Sequence, residues 1–195
     1  ESVAQRLKKG RLNQGAGKLR NRALNTMSCD WDLSKPTDEY FEELFRISRN
    51  QIIWGGNYFH LPPTRGILCW DKMQPWENFS QFELAWTSFD CPAAIIHLSN
   101  TGGANKETKI HPTQKPKALY HWVFKKYANS GDKILDTHLG SGSSRIVAFK
   151  LGFDFYATEI DTEYFESQEK RFRSECFGEI KTKKGTLVQT SLFDV

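Results

Sequence analysis

Three acidic side chains stand beside a glycine-rich turn in the second half of the sequence. Asp136 precedes the turn that contains Gly140 and Gly142, and Glu159 and Asp161 follow the next apolar segment. Glu159 comes 19 residues after Gly140. In a strand, turn, helix, strand unit, an acid at about this offset accepts hydrogen bonds from a ribose hydroxyl pair. The spacing indicates a bound nucleoside, although such glycine pairs also occur in α/β turns that only need a positive φ.

The charge of this cluster bears on which nucleoside cofactor it would hold. A pyrophosphate needs exposed backbone amides without a competing anion, and three carboxylates would repel it. They suit a cofactor with a sulfonium and an α-ammonium group, namely S-adenosylmethionine. A phosphate loop of the pattern G-x-x-x-x-G-K-[ST] is also missing from the sequence. We therefore expect S-adenosylmethionine as the cofactor.

The elements around the turn follow from apolar periodicity and breaking residues. Before it, Thr113 is expected to cap a helix with Leu119, Trp122, Val123 and Tyr127 on one face. The further predicted elements are a strand over 133–136, a helix over about 143–151 closed by Gly152, a strand over 153–158 and a helix over about 162–174. Together they place the acids and glycines at the carboxyl ends of two strands, where α/β sheets bind ligands.

Upstream, the pattern predicts a helix over about 38–48 capped by Thr37, and a strand over 51–54 that delivers Asn57 and Tyr58 to its carboxyl end. Residues 67–71 and 82–89 are strand candidates that could pair as a long hairpin, and residues 90–110 are expected to be a loop.

Residues 111–116, His-Pro-Thr-Gln-Lys-Pro, resemble the H-P-T-Q-K-P element of the amino-methylating DNA methyltransferases of the permuted type, whose catalytic motifs precede the cofactor motifs. Residues 136–143 resemble that family's D-P-F-x-G-S-G-T loop, with Thr137 and His138 in place of Pro and Phe. The resemblance covers about residues 30–194. The cofactor-binding residues it implies are His111, Pro112, Thr113, Gln114, Lys115, Asp136, Thr137, Leu139, Gly140, Ser141, Gly142, Ser143, Glu159, Ile160 and Asp161.

The resemblance also implies the fold and the target-base site. We expect an α/β, Rossmann-like S-adenosylmethionine-dependent methyltransferase fold, with a mostly parallel sheet, an antiparallel hairpin and helices on both faces. In the family an aromatic residue of the second late strand stacks on the flipped base, which makes Trp86 or Phe89 the candidate here, alongside Asn57 and Tyr58. A core role is the alternative for any tryptophan.

This sequence departs from the family pattern at one element. The Asp/Asn/Ser-Pro-Pro-Tyr tetrapeptide, which accepts hydrogen bonds from the target amino group, is missing. Residues 61–64, Leu-Pro-Pro-Thr, lack its polar first residue and its aromatic last one. We expect that element and its strand to lie upstream of Glu1, so the catalytic residues stay unassigned.

Basic residues crowd the start of the sequence, where Glu1 is the only acid among the first 22 residues. Such a segment can contact DNA phosphates, with affinity that falls steeply with salt, or form a solvated tail without a partner. The DNA-binding candidates are Lys8, Lys9, Arg11, Lys18, Arg20 and Arg22. With the 90–110 loop, this segment would read a short target in double-stranded DNA.

Composition sets the remaining expectations. At 195 residues, 38% hydrophobic and a mean hydropathy of −0.58, the sequence fits one domain without a membrane span. We divide it into a basic mobile loop (1–30), a catalytic and target-base half (31–110) and a cofactor-binding half (111–195). Its four cysteines lack zinc-site spacing, so we expect no metal. The sequence shows no charged-then-apolar segment of the kind that directs secretion, so we expect a cytoplasmic protein.

The expected reaction is methyl transfer from S-adenosylmethionine to the exocyclic amine of a flipped base in duplex DNA, adenine N6 before cytosine N4. A catalytically inactive protein that binds DNA and S-adenosylmethionine is the alternative from another class. Whether the chain forms a homodimer or works beside a cognate restriction enzyme stays open.

Overall fold

A computed structural model describes residues 35–74, 80–99, 107–182 and 185–188. Within these ranges, the helices are α1 (Asp38–Ile47), α2 (Lys117–Tyr127), α3 (Ser143–Leu151) and α4 (Thr162–Phe177). The strands are β1 (Ile52–Trp54), β2 (Ile67–Asp71), β3 (Phe82–Thr87), β4 (Ala94–His97), β5 (Lys133–Asp136), β6 (Asp154–Ala157), β7 (Glu179–Thr182) and β8 (Gly185–Val188). A 3-10 turn, Gly56–Tyr58, follows β1. The mixed α/β class is confirmed.

A four-stranded sheet in the order β1-β3-β2-β4 carries the first half of the described chain. Strand β3 runs antiparallel to β1 and to β2, which confirms the predicted hairpin, and β4 runs parallel to β2. Three of these strands therefore share one direction, and β3 opposes them. The carboxyl ends of β1, β2 and β4 meet the amino end of β3 at a single edge of the sheet.

Helices cover both faces of this sheet because successive β3 residues point to opposite sides. Ala85 is fully buried in a cluster with Val123 and Phe124 of α2. The next residue, Trp86, meets Phe45 of α1, with 5.8 Å between ring centroids. The predicted placement of helices on both faces is confirmed for this sheet.

Strands β5 and β6 form a separate parallel pair connected through α3. Ile134 and Phe155 pack into the same core as α2 and α3, whereas Leu135 and Tyr156 on the other face are 42% and 58% exposed. Across the described residues, two of the five strand pairings are parallel and three are antiparallel. The antiparallel pairings are those of β3 with β1 and β2, in the four-stranded sheet, and that of β7 with β8, which form a sheet of their own.

Three local predictions need correction. Strand β4 lies inside the predicted loop, because its parallel pairing with β2 stabilises a short segment whose local pattern is weak. Helix α2 begins at Lys117 with Pro116 at its N-cap, and the Thr113 hydroxyl instead lies 3.1 Å from Nδ1 of His111. The antiparallel β7–β8 pair was not predicted. Among the helices described, none is long and apolar enough to cross a membrane.

Candidate functional site

The turn between β5 and α3, residues 139–142 and called the glycine turn here, is held by backbone hydrogen bonds. The Leu139 N–H donates to the Thr158 carbonyl after β6, and the Gly142 N–H donates to the Leu139 carbonyl, both at 3.0 Å. Gly140 and Gly142 have φ values of +54° and +71°. A Cβ on Gly142 would lie 3.0 Å from Oε1 of Gln168, so both conformation and space require glycine there.

Three carboxylates surround this turn, each bound by protein donors. Glu159 accepts the Gly140 N–H at 2.7 Å on one oxygen and the Asp161 N–H at 3.0 Å on the other. Asp136 accepts from the His138 N–H and the Ser144 hydroxyl. Asp161 caps α4 by accepting the N–H groups of Glu163 and Tyr164. The structure thus brings Glu159 and the glycine turn together, as the sequence predicted.

The imidazole of His111 lies against the same turn. A Cβ built on Gly140 would be 3.4 Å from His111 Nε2, and the ring packs on Tyr164 of α4, with 4.2 Å between centroids. The Thr113 backbone N–H donates to Nδ1, so the neutral ring carries its proton on Nε2. Burial lowers the pKa of His111, an effect that the charges of Glu159 and Asp161 partly oppose.

The other residues of the stretch before α2, residues 107–116 and called the linking stretch, make structural contacts. Gln114 is buried and folds the stretch onto itself by accepting the Ile110 N–H and donating to the Thr108 carbonyl. Lys115 pairs with Glu83 at 3.0 Å, on the four-stranded sheet. Burial acts to raise the pKa of Glu83, but Lys115 and Lys72 outweigh it and lower that pKa. Pro112 and Thr113 are exposed.

Thr137 and His138, the departures from the family loop, contact α1. The Tyr40 hydroxyl lies 2.6 Å from Oγ1 of Thr137, and its ring meets the His138 ring edge-on at 5.7 Å. Phe41 of the same helix packs on Phe59, which follows β1. Helix α1 therefore connects the two residues just before the glycine turn to the segment that follows β1.

Ser141 and Ser143 point inward, with exposures of 5% and 2%, and their hydroxyls lie 3.2 Å apart. Their side chains therefore support the turn from the protein interior. Ile160, in contrast, is 89% exposed beside Glu159. An apolar side chain left in solvent at this point is available to a flat apolar ligand.

One face of α4 was missed by the sequence reasoning. Its inward residues at positions 161, 164, 168, 171 and 175 include a cap, an aromatic ring on His111 and polar side chains that meet the glycine turn. In the sequence, the only available signal was the helical spacing of these residues. Their burial and their contacts in the structure make this face of α4 part of the site.

The candidate target-base residues fall into separate places. Asn57 and Tyr58 are exposed after β1, Tyr58 at 66%. Phe82, at the start of β3, is 50% exposed at this same edge, because β3 runs antiparallel to β1. We call Asn57, Tyr58 and Phe82 the aromatic edge. Phe82 could have been found only by knowing the direction of β3.

Trp86 and Phe89 do not lie at the aromatic edge. Trp86 is 9% exposed, packs on Phe45 and donates its indole N–H to the Pro62 carbonyl at 2.7 Å. Phe89 follows the carboxyl end of β3, at the opposite edge of the sheet, and packs on Tyr127. Trp86 therefore packs in the core and Phe89 lies at the other edge of the sheet, and stacking of either ring on the base stays a prediction.

The basic candidates at positions 8–22 lie outside the described residues. Within the described ranges, no group of three or more histidine, cysteine or acidic side chains could hold a metal ion.

A family model described as a DNA methylase of the N6/N4 type matches residues 5–170. The type II methyltransferase M.HpaI of Haemophilus parainfluenzae is 37% identical over 87 residues, which are 45% of this chain and 28% of that protein. The type II methyltransferase M2.DpnII of Streptococcus pneumoniae is 28% identical over 145 residues, 74% of this chain and 50% of that protein.

A solved structure, an M1.HpyAVI–SAM complex, shares 24% identity with this chain and covers 55% of it and 61% of its own length, with a TM-score of 0.42. The chain spans 28% and 50% of the lengths of M.HpaI and M2.DpnII, half or less of each.

Proposed function

The chain belongs to the DNA methylase family whose model it matches, and from that premise we propose that the protein methylates the exocyclic amine of a base in duplex DNA, at adenine N6. S-adenosylmethionine is the proposed methyl donor. When bound, it supplies an electrophilic methyl group on a sulfonium centre.

The observation that carries the proposal is the position of the Glu159 carboxylate. It accepts hydrogen bonds from the Gly140 and Asp161 amides, and the His111 ring lies beside the same Gly140. Each carboxylate oxygen accepts one backbone N–H and retains a second lone pair, so Glu159 can accept ribose hydroxyls without giving up either bond. The exposed Ile160 side chain beside it is suited to cover an adenine ring.

The donor set at this site fits the proposed cofactor. Asp136 and Glu159 supply negative charge, and burial favours the uncharged form of the His111 ring, so that ring adds no repelling cation. Carboxylates attract a ligand with ammonium and sulfonium groups and repel phosphates. In this arrangement Glu159 binds and orients the ribose, Asp136 attracts the cationic end of the cofactor, and the His111 ring forms one side of the site beside Gly140.

The aromatic edge is the proposed place for the flipped base. Tyr58 and Phe82 are exposed aromatic rings at one edge of the sheet, and stacking on an extruded base returns about 1–3 kcal/mol per ring. Helix α1 contacts Phe59, next to this edge, through Phe41, and Thr137, just before the glycine turn, through Tyr40. The preference for adenine over cytosine rests on overall likeness to the family and on no single residue.

Nucleoside mass spectrometry tests the proposal on DNA from cells that express the full-length protein and have lost their own amino-methylating enzymes. We expect N6-methyladenine with the wild type and with Asp154→Ala, an exposed acid at the other end of β6. Asp136→Ala should abolish the signal, because its carboxylate is lost from the site. N4-methylcytosine would identify cytosine as the target. Neither base, in a soluble protein that binds S-adenosylmethionine, would replace the enzyme proposal with a binding protein.

A further inference from the structure

The guanidinium of Arg171, halfway along α4, is nearly buried, with its side chain 9% exposed. It makes hydrogen bonds to three separate parts of the chain. One nitrogen donates to the Ser141 carbonyl at 2.9 Å and to the Ser143 hydroxyl at 3.0 Å. The others donate to the carboxylates of Glu107 and Glu175. A nearly buried arginine with this many partners fixes all of them relative to α4.

Glu107 extends the contact to the linking stretch. Its second oxygen accepts the backbone N–H of Lys117 at 2.9 Å, at the first residue of α2. Lys117 in turn pairs with Glu175 through its ammonium group. Two positive and two negative side chains therefore close a balanced cluster between α4, α2 and the glycine turn. His111 lies within this stretch, four residues after Glu107 and six before Lys117.

Helix α4 thus contacts the glycine turn at two places, at the start of the helix and at Arg171. At its start, Glu159 and Asp161 hold the Gly140 N–H and the helix cap, and Tyr164 supports His111. Ten residues further, Arg171 holds the carbonyl that follows Gly140. The turn and the His111 ring are parts of different segments, and Arg171 is bonded to the turn and, through Glu107, to the segment that carries His111.

We propose that Arg171 is a positioning residue for S-adenosylmethionine: it fixes the distance between the glycine turn and His111 without touching the cofactor. The inference rests on the proposed function of that site. Loss of the guanidinium would leave the Ser141 carbonyl and the Glu107 carboxylate without their shared donor, and the turn could shift against the ring. Small displacements of binding groups cost large factors in affinity and rate.

The test compares S-adenosylmethionine binding by isothermal calorimetry in full-length wild type, Arg171→Met and Arg173→Met. Arg173 lies on the same helix but faces outward, pairing with Glu169 and Glu179 at 50% exposure. Each protein is measured below its melting temperature. We expect Arg171→Met to raise the Kd about tenfold, the effect of losing a charged hydrogen bond, and Arg173→Met to leave it within about twofold.

A second measurement separates positioning from general stability. Arg171→Lys keeps the charge but donates from a single nitrogen instead of the planar fork that reaches Ser141, Glu107 and Glu175, so its Kd should fall between the wild type and Arg171→Met. In a steady-state assay, the KM for S-adenosylmethionine should rise while the KM for DNA stays constant. Equal Kd values with a lower melting temperature would overturn the inference. No binding by the wild type would instead overturn the proposed function.

Discussion

At the glycine turn the side chains that face the proposed ligand already have partners within the protein, whereas at the aromatic edge the side chains stand in solvent. Glu159, Asp136 and His111 are each bonded to a neighbouring backbone group or side chain. Tyr58 and Phe82 are 66% and 50% exposed. The first site is organised before a ligand arrives, and the second offers apolar surface that a ligand would cover. Changes at the turn should therefore alter stability and cofactor affinity together, and changes at the edge should alter only DNA binding.

The largest effect is expected from Gly142→Ala. The new Cβ would lie 3.0 Å from Oε1 and 3.1 Å from Cβ of Gln168, in a residue whose φ is +71°. Backbone strain and overpacking together should lower the free energy of unfolding by about 2 to 4 kcal/mol, measured by urea denaturation. Gly152→Ala, at the other end of α3, is the matched control: φ is +75° and no atom lies within 4 Å of the new Cβ. It should cost about 1 to 2 kcal/mol. Equal losses would show that the packing beneath the turn is loose.

The next effect concerns Glu159→Gln, which keeps the size of the side chain but removes its charge and one acceptor. One of the Gly140 and Asp161 amides would lose its partner. We expect the Kd for S-adenosylmethionine to rise by about tenfold or more, since a lost charged hydrogen bond is worth about 1.5–3 kcal/mol. Calorimetry on Glu166→Gln, an exposed residue of α4, provides the control. An unchanged Kd in Glu159→Gln would remove the main support for the cofactor site.

The same contrast explains how far sequence reasoning reached. Strand β5 and helix α3 begin and end where they were predicted, because the apolar period and Gly152 are local signals. Strand β4 was missed, since its parallel partner β2 is more than twenty residues away in sequence. Glycines and acids at the turn could be placed because each sits next to the element that positions it.

At other positions the sequence identified candidate residues but not the residues they contact. Lys115 belongs to a specific motif, yet it pairs with Glu83, a contact between distant segments. Phe89 is a target-base candidate through the family resemblance alone, and the antiparallel direction of β3 places it at the sheet edge opposite Asn57 and Tyr58. Arg171 carries no motif at all. Contacts that depend on the three-dimensional path of the chain could not be read from local patterns.

A smaller effect should appear in the pH dependence of stability through His111. Burial lowers the folded pKa of His111 below the ordinary 6.5. The charges of Glu159 and Asp161 act to raise this pKa, and that of Lys115 acts to lower it further. The unfolded chain therefore binds more protons, so stability is complete above about 6.5 and falls as the pH drops from there towards the folded pKa. Urea denaturation from about pH 7.5 to about pH 5.5 should show a steeper loss in the wild type than in His111→Asn.

Titration of the Glu83 carboxylate does not contribute to the stability change in this pH range. Burial acts to raise its pKa, but Lys115 and Lys72 lower it overall, so its contribution is lost only as the pH falls below the ordinary 4.5. Parallel pH profiles for the two proteins would mean that the His111 ring is as free to protonate in the folded protein as in the unfolded chain.

The smallest effect on stability is expected at the aromatic edge, from Tyr58→Ala. A side chain that is 66% exposed contributes little to the core, so the free energy of unfolding should change by less than about 0.5 kcal/mol. Removing a stacking ring should still weaken DNA binding by about fivefold or more, measured by fluorescence anisotropy on a duplex with an unpaired target base. Trp86→Phe is the opposing control, because it removes the indole donor to the Pro62 carbonyl from a side chain that is 9% exposed. That variant should lose about 1 kcal/mol of stability and keep its DNA affinity. If the two variants exchanged these phenotypes, the base would stack on Trp86 and not on Tyr58.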